Sequence, residues 1–253
     1  MSQFQGKVAI VTGATSGMGQ EIARMFVQEG ASVILSGRNQ ERGNRFLEEY
    51  QAAESKVRFC AGNVAVPETN QLLVQAAVEE FGRLDFISTN AGMLGLGSVT
   101  EVPLEVWEET ISTNFLSVFY LCRFAIPEML KAGGGNIIVN ASIAADTCFP
   151  NHAAYCSSKA AIVALTRQMA LDYGPDIRVN AICPGPVDTP LIWNSAAAFE
   201  DPSSAVEAAA DTTLLKRLGT PKDIARLVKF LASEESSWVT GTSLCIDGGR
   251  SVH

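Results

Sequence analysis

The sequence predicts an α/β fold, in which a doubly wound parallel sheet of about seven strands carries helices on both faces. Short runs rich in β-branched residues recur along the chain, and they are apolar at nearly every position, as is typical of strands buried on both sides. Stretches with helical spacing of apolar residues separate these runs. This alternation, without a linker or a low-complexity segment, predicts one domain over residues 1–253.

Each predicted strand is a short run that can be read directly from the sequence. In chain order the runs are KVAIVT (7–12), SVILS (32–36), KVRFC (56–60), LDFIST (84–89), NIIVNA (136–141), IRVNAI (177–182) and SLCID (243–247). Between the first two, Ile22, Met25 and Phe26 have the spacing of one helix face. One segment departs from the pattern: residues 190–215 are rich in Ala and Ser and are interrupted by Pro202, which predicts a mobile excursion that binds substrate.

Composition narrows the classes of partner. The 253 residues include 47% hydrophobic residues, and 19 Lys and Arg against 27 Asp and Glu leave a net charge of −8, which does not favour nucleic acid or an anionic membrane. The N-terminal residues lack the pattern of a secretory signal, and no apolar run approaches the ~18 residues of a membrane span. We therefore expect a cytoplasmic protein with a small-molecule substrate.

Cysteine and histidine usage argues against disulfides and metal. The six cysteines (60, 122, 148, 156, 183 and 245) include no CxxC pair, and the chain is large enough to fold without disulfides, so reduced thiols are expected. His152 and His253 are the two histidines, and they belong to no cluster with ligand spacing. No metal site is predicted.

A glycine-rich turn follows the first predicted strand. In TGATSGMG (12–19), Gly13, Gly17 and Gly19 precede a helix expected to begin near Met18. Glycines allow a tight turn there and a close approach of backbone amides to a pyrophosphate, which the helix dipole favours. A plain turn is the alternative. The position between strand one and helix one favours a dinucleotide site.

Further motifs occur in a familiar order: NAG (90–92), Asn114, Ser142, Tyr155 with Lys159, PGPVDT (184–189) and IDGG (246–249). With the glycine turn, they make the chain resemble the short-chain dehydrogenases/reductases from about residue 5 to residue 249. The resemblance implies a single Rossmann-like domain that moves hydride between a nicotinamide cofactor and a carbonyl or alcohol.

Tyr155 and Lys159 are four residues apart, which places them on one face of a helix. Carbonyl reduction needs a proton donor, and an adjacent ammonium is expected to lower the pKa of a phenol from its usual value near 10. The resemblance implies that Lys159 also binds the nicotinamide ribose, that Ser142 binds the substrate oxygen and that Asn114 holds a water molecule. A turn-capping Ser142 and a structural buried Asn114 are the alternatives.

The end of the second strand bears on the choice of cofactor. In VILSGRNQE, Gly37 stands where an NAD-binding acid is expected, and Arg38 follows it. A guanidinium suits the 2′-phosphate, so NADP(H) is favoured over NAD(H); an exposed loop arginine is the alternative. Ser16 stands where many NADP-binding relatives have a basic residue.

The resemblance implies further contacts with the cofactor. Asn63, where the family usually has Asp, and Val64 are expected at the adenine, and the remaining residues along the pyrophosphate and the nicotinamide. The full predicted set is Gly13, Thr15, Ser16, Gly17, Met18, Gly19, Arg38, Asn63, Val64, Asn90, Ala91, Gly92, Tyr155, Lys159, Pro184, Gly185, Val187 and Thr189.

The residues expected around the reacting carbon are mostly apolar, which favours a small hydrophobic ketone or secondary alcohol. The predicted substrate contacts are Ser142, Ile143, Ala144, Phe149, His152, Tyr155, Ile192 and Trp193, with Met93, Leu94, Leu96, Leu191 and Phe199 as further neighbours. Ordinary core packing is the alternative for the apolar members of this set.

Other activities stay open at this stage. They are a 3-oxoacyl-(carrier protein) reductase, an NAD-dependent alcohol or diol dehydrogenase, and a non-catalytic nucleotide sensor. The net charge of −8 disfavours docking of an acidic carrier protein. The resemblance also implies a homotetramer built through the helices after strands four and five and through the last strand.

Overall fold

The strands form one parallel sheet. The computed structural model describes residues 2–51, 56–196 and 201–252. Its strands are β1 (Val8–Val11), β2 (Ser32–Gly37), β3 (Val57–Ala61), β4 (Phe86–Thr89), β5 (Gly135–Asn140), β6 (Ile177–Pro184) and β7 (Ser243–Ile246). Their spatial order is β3-β2-β1-β4-β5-β6-β7, and every neighbouring pair is parallel. The predicted doubly wound sheet is confirmed, and each predicted run overlaps one of the strands, with ends that differ by at most two residues.

Helices follow the strands and cover both faces of the sheet. They are α1 (Gly17–Gln28), α2 (Gln40–Glu49), α3 (Pro67–Phe81), α4 (Leu104–Ile111), α5 (Ser117–Lys131), α6 (Ala153–Tyr173), α7 (Pro190–Ala196), α8 (Pro202–Asp211) and α9 (Pro221–Ala232). A π-helical turn, Ser112–Leu116, joins α4 to α5. Within the ranges that the structure describes, no helix is both long and apolar enough to cross a membrane.

Alternate strand residues supply two apolar cores, one on each face. Val8 and Ile10 of β1 pack into the core that contains residues of α3, α5 and α6, whereas Ala9 and Val11 pack into the core that contains residues of α1 and α9. All four are buried. Burial on both faces explains why the strands are continuously apolar, since a period of two would leave one face polar.

The carboxyl ends of the parallel strands meet at one edge, where the loops to the following helices create a cleft. Strand order reverses between β1 and β4, the point at which such sheets bind their ligands. The predicted excursion consists of α7 and α8 on the far side of this edge. Its mobility stays a prediction, and Phe199 lies outside the described residues.

Candidate active site

The glycine turn is packed so closely that side chains would block it. Gly13 has φ +62°, and a Cβ there would lie 2.7 Å from the backbone nitrogen of Ala91. A Cβ on Gly19 would overlap the carbonyl oxygen of Gly13. Since α1 begins at Gly17, the turn delivers backbone amides and the positive end of a helix to the edge of the sheet. These are the features that a pyrophosphate needs.

Two adjoining cavities open at this edge. The first, of about 370 Å³, runs along the glycine turn and the ends of β2, β3 and β4, and the second, of about 410 Å³, lies between β5, β6, α7 and α8. We call them the nucleotide cavity and the substrate cavity. Six residues line both of them, namely Met18, Asn140, Ala141, Tyr155, Thr189 and Leu191. Tyr155 therefore stands where the two cavities meet.

Most residues predicted to bind the cofactor line the nucleotide cavity. They are Gly13, Thr15, Ser16, Gly17, Met18, Gly19, Arg38, Asn63, Val64, Asn90, Ala91, Gly92, Tyr155, Lys159 and Thr189. Pro184, Gly185 and Val187 instead line the substrate cavity, beside the shared residues. The glycine cradle and the helix terminus fit a dinucleotide, whose reactive ring would reach the junction of the cavities.

The end of β2 presents two guanidinium groups. Arg38 and Arg42 are exposed and line the nucleotide cavity, and neither forms an ion pair with any residue in the described part of the chain. Asn39 begins α2 by accepting a hydrogen bond from the Arg42 backbone N–H at 2.9 Å, which holds this loop in place. Arg42 and Asn39 were missed by the sequence analysis, although both are close to Arg38 in sequence.

The predicted adenine contacts have local structural partners. The Asn63 Oδ1 atom accepts from the Ala65 backbone N–H at 3.1 Å, and the Val64 carbonyl accepts from Asn70 Nδ2 at 2.7 Å. Asn63 therefore closes a turn with the oxygen that was expected to face the adenine amino group. One lone pair of that oxygen is still available.

Tyr155 and Lys159 lie on one turn of α6, as their spacing predicts. The Lys159 Nζ atom is 5.6 Å from the centroid of the Tyr155 ring. Lys159 is 6% exposed, and its ammonium donates to the Asn140 carbonyl at 2.8 Å. Burial lowers the pKa of Lys159 from 10.5 to about 8, because the charged amine loses solvation.

The predicted lowering of the Tyr155 pKa by Lys159 is wrong for this structure. Burial raises the pKa of the Tyr155 phenol above 10, and a hydrogen bond with Ser142 only partly opposes that increase. Loss of solvation by the phenolate is therefore the dominant effect on this pKa, and the amine of Lys159 does not lower it. The phenol is held in its protonated form, which is the form that donates a proton.

A polar network that the sequence analysis missed supports Lys159. Asn140 Nδ2 donates to Asn90 Oδ1 at 3.1 Å, and the Asn90 backbone N–H donates to the Thr12 hydroxyl at 3.1 Å. Asn90 Nδ2 in turn donates to the Ser88 carbonyl at 3.1 Å. The network joins the ends of β1, β4 and β5, and it fixes the carbonyl that receives the Lys159 ammonium. Asn140 ends the run NIIVNA, and its position there was the available signal.

Asn114 lies beneath the cleft and lines neither cavity. Its Oδ1 accepts from the Met93 backbone N–H at 2.9 Å, while its Nδ2 donates to the Met93 carbonyl at 2.9 Å and to the Ser158 hydroxyl at 3.0 Å. It belongs to the π-helical turn, a distortion that often marks functional sites. The side chain thus has the structural role that was the alternative for it, and its predicted role in holding water is untested.

Ser142 lies at the entrance of the substrate cavity and also caps a turn. Its hydroxyl accepts from the Ala144 backbone N–H at 3.1 Å, and it lies within hydrogen-bonding reach of Tyr155. A hydroxyl group can donate one bond while it accepts others. Capping therefore leaves its proton free to point toward a substrate oxygen.

Five further predicted contacts have different outcomes. Ile143, Phe149, His152 and Ile192 line the substrate cavity. Trp193 lines neither cavity: the residue is 44% exposed, and its Nε1–H donates to Asp188 at 2.9 Å, so its contact with substrate stays a prediction.

Ala144 is a second predicted contact that lies outside both cavities, and it too stays a prediction. It is buried and lines neither cavity, since its backbone N–H turns inward to Ser142. Among the apolar neighbours, Leu94 and Leu191 line the substrate cavity and Met93 lines the nucleotide cavity, whereas Leu96 lines neither. Other residues that line the substrate cavity were not predicted individually: Ala205, Val206, Ala209 and Thr212 lie within the predicted excursion, whereas Arg250, in the C-terminal segment, was missed by the sequence analysis.

The parallel sheet, the glycine cradle and the tyrosine–lysine pair define a class, the dinucleotide-binding α/β proteins. Comparison with known proteins narrows it. A family model described as enoyl-(acyl carrier protein) reductase matches residues 13–251. The chain is 36% identical to cyclohexanol dehydrogenase of Acinetobacter sp. (strain SE19), over 98% of this chain and 96% of that protein.

Solved structures agree with the sequence relatives. Levodione reductase superposes with a TM-score of 0.93 at 32% identity, covering 98% of this chain and 99% of that one. A variant of actinorhodin polyketide ketoreductase with NADPH has a TM-score of 0.92 at 30% identity, covering 98% of each chain. The chain belongs to the short-chain dehydrogenase/reductase family, whose members are NAD(P)(H)-binding oxidoreductases acting on CH–OH and C=O groups of small molecules.

Proposed function

We propose that the protein is an NADP(H)-dependent carbonyl reductase of small, largely hydrophobic ketones, and that it oxidises the corresponding secondary alcohols in reverse. The observation that carries the proposal is the position of Tyr155, which lines both cavities and lies next to Ser142. By its name, cyclohexanol dehydrogenase acts on a cyclic alcohol, and levodione reductase, by its name, reduces a dione; both support a small ketone or alcohol as the substrate here.

The proposed mechanism assigns one task to each side chain at the junction. The bound nicotinamide supplies the hydride that adds to the carbonyl carbon. Ser142 donates a hydrogen bond to the carbonyl oxygen, and the Tyr155 hydroxyl transfers its proton to that oxygen as negative charge develops there. Lys159 stabilises the tyrosinate left behind, and the products are the alcohol and the oxidised cofactor.

NADP(H) is preferred in this proposal because of the end of β2. Arg38 and Arg42 supply positive charge there without an ion-pair partner among the described residues, and Gly37 stands in place of an acid. NAD-dependent alcohol or diol oxidation is the second candidate. It is favoured by the absence of a basic residue in the glycine turn, where Ser16 has no capping hydrogen bond of its own.

A panel of ketones and alcohols tests the proposal through the absorbance of the reduced nicotinamide. It should contain cyclohexanone, a cyclic diketone, a linear methyl ketone, a diol and an acetoacetyl thioester, each with NADPH and NADH. We expect the cyclic ketones to be reduced with NADPH. If the thioester alone is reduced, the proposed activity is wrong and the protein is a 3-oxoacyl reductase. If turnover is faster with NADH than with NADPH, the proposed cofactor preference is wrong.

A further inference from the structure

The substrate cavity contains one charged side chain that the proposed reaction does not use. Among the described residues that line it, Arg250 is the only Lys, Arg, Asp or Glu. It is half-buried, and it forms no ion pair or side-chain hydrogen bond within the described ranges. A half-buried guanidinium at an apolar wall, without an ion-pair partner among the described residues, is available to pair with an anion that enters the cavity.

The chain is shaped to return Arg250 to this cavity. After β7, Gly248 and Gly249 have φ values of +64° and +82°, a conformation that residues with a side chain rarely adopt. A Cβ on Gly249 would lie 2.7 Å from Leu214 Cδ1, so the turn packs against the segment that follows α8. The Leu215 backbone N–H donates to the Gly248 carbonyl at 3.2 Å and fastens the turn.

Asp247, the nearest acidic residue along the described chain, already has hydrogen-bond partners. The Asp247 carboxylate accepts from the backbone N–H groups of Gly249 at 2.9 Å and Ser251 at 2.7 Å, and also from the Ser251 hydroxyl. These bonds stabilise the turn that carries Arg250, and none of them involves the Arg250 guanidinium. The cofactor phosphates are not its partner either, because Arg250 lines the substrate cavity and not the nucleotide cavity.

We propose that Arg250 binds a carboxylate on the substrate, so that the preferred substrates are oxo acids or hydroxy acids with an apolar body; this rests on the proposed function. Ser142 follows β5 and Arg250 follows β7, with β6 between them. At about 4.8 Å per strand, β5 and β7 themselves are about 10 Å apart. Groups on the loops that follow these two strands suit a carboxylate several bonds away from the carbonyl, rather than a 2-oxo acid.

A binding experiment tests this inference without turnover. Titration calorimetry would compare 4-oxocyclohexanecarboxylate with the neutral 4-oxocyclohexanecarboxamide, each binding to the protein with and without NADP⁺. We expect the carboxylate to bind the wild type at least about tenfold more tightly, as one charge-assisted pair provides. Arg250→Gln should bring the ratio close to one, and Arg250→Lys should keep part of it.

Arg226→Gln is the matched control, because Arg226 is exposed on α9 and lines neither cavity. It should keep the wild-type ratio. Equal affinities in the wild type, or a preference that persists in Arg250→Gln, would overturn the inference. The ketone panel separates this inference from the proposed function. If neutral ketones are reduced and no preference for the carboxylate is found, only the role of Arg250 is refuted. If the carboxylate is preferred in binding but no ketone is reduced, only the reductase activity is refuted.

Discussion

At the scale of the residue, Lys159 shows how a side chain of the candidate site can lower the stability of the folded protein. Its ammonium is buried and has the Asn140 carbonyl as its hydrogen-bond partner, at 2.8 Å. A buried amine with a lowered pKa makes the folded state less stable while it is charged. In the proposed mechanism, this environment has a use, because Tyr155, one helical turn away, needs a positive neighbour when it becomes a tyrosinate.

Lys159→Met should stabilise the protein. We expect the free energy of unfolding near pH 7 to rise by about 1–3 kcal/mol, since a shift from 10.5 to about 8 corresponds to at most about 3 kcal/mol and the lost hydrogen bond offsets part of it. Between pH 8 and 10.5 the unfolded chain binds more protons at this lysine, so wild-type stability rises with pH and the difference shrinks.

Denaturant unfolding near pH 7 and near pH 9.5 would measure this difference. Lys222→Met, at an exposed position on α9, is the control, and it should change stability little at either pH. A Lys159→Met variant that is less stable than the wild type, or a difference that grows with pH, would contradict the account of the buried amine.

At the scale of the element, we propose that the loop from β2 to α2 selects the cofactor. Gly37 ends the strand, and a Cβ there would lie 2.5 Å from Thr15 Cγ2, so the glycine turn and the end of β2 pack against each other. Arg38 and Arg42 then extend into the nucleotide cavity from the loop and from the first turn of α2. One short loop thus determines the charge that meets the ribose.

Arg38→Ala should weaken the binding of NADPH much more than the binding of NADH. The loss of charge-assisted hydrogen bonds to a 2′-phosphate predicts a dissociation constant for NADPH about 10- to 100-fold higher, with that for NADH within about threefold of the wild type. Titration calorimetry or nucleotide fluorescence would measure both constants. Arg45→Ala is the matched control, since Arg45 lies on α2 outside the cavity and pairs with Glu41. Equal losses for the two nucleotides would contradict the assignment.

The sequence predicted the elements better than it predicted the substrate cavity. The strands and the glycine turn are local features, because a strand buried on both faces and a tight turn can each be recognised from the residue types of a short stretch. Asn140, Arg42 and Arg250 were missed, since their roles depend on which loops the sheet brings together. Trp193 is exposed, because an apolar residue near the site can equally face solvent, and its contact with substrate stays a prediction. The predicted direction of the Tyr155 pKa shift was wrong, because burial, which the sequence does not give, raises this pKa.

At the scale of the whole molecule, several large apolar side chains are exposed on the elements expected at subunit interfaces. Leu104 lies on α4, Phe119 on α5 and Leu171 on α6, and Trp238, next to β7 along the chain, is 99% exposed. Exposed apolar groups gathered on particular elements mark interaction surfaces. They agree with the predicted homotetramer, which stays a prediction.

Light scattering after size exclusion should give a mass of four times 27.0 kDa. We expect Phe119→Glu to reduce the assembly to a smaller species, because a buried carboxylate without a partner is strongly unfavourable at an interface. Leu72→Glu, on the exposed face of α3, is the control and should keep the wild-type mass. A wild-type mass of a single chain would contradict the prediction.

The central claim is that the Tyr155 hydroxyl supplies the proton in carbonyl reduction. The most direct test measures ketone-dependent oxidation of NADPH by Tyr155→Phe, together with its dissociation constant for NADPH. Tyr173→Phe makes the same change at the far end of α6 and should keep wild-type turnover. We predict that Tyr155→Phe lowers kcat by about 10²- to 10⁴-fold and leaves NADPH affinity within about threefold. Reduction at the wild-type rate by Tyr155→Phe would contradict the mechanism.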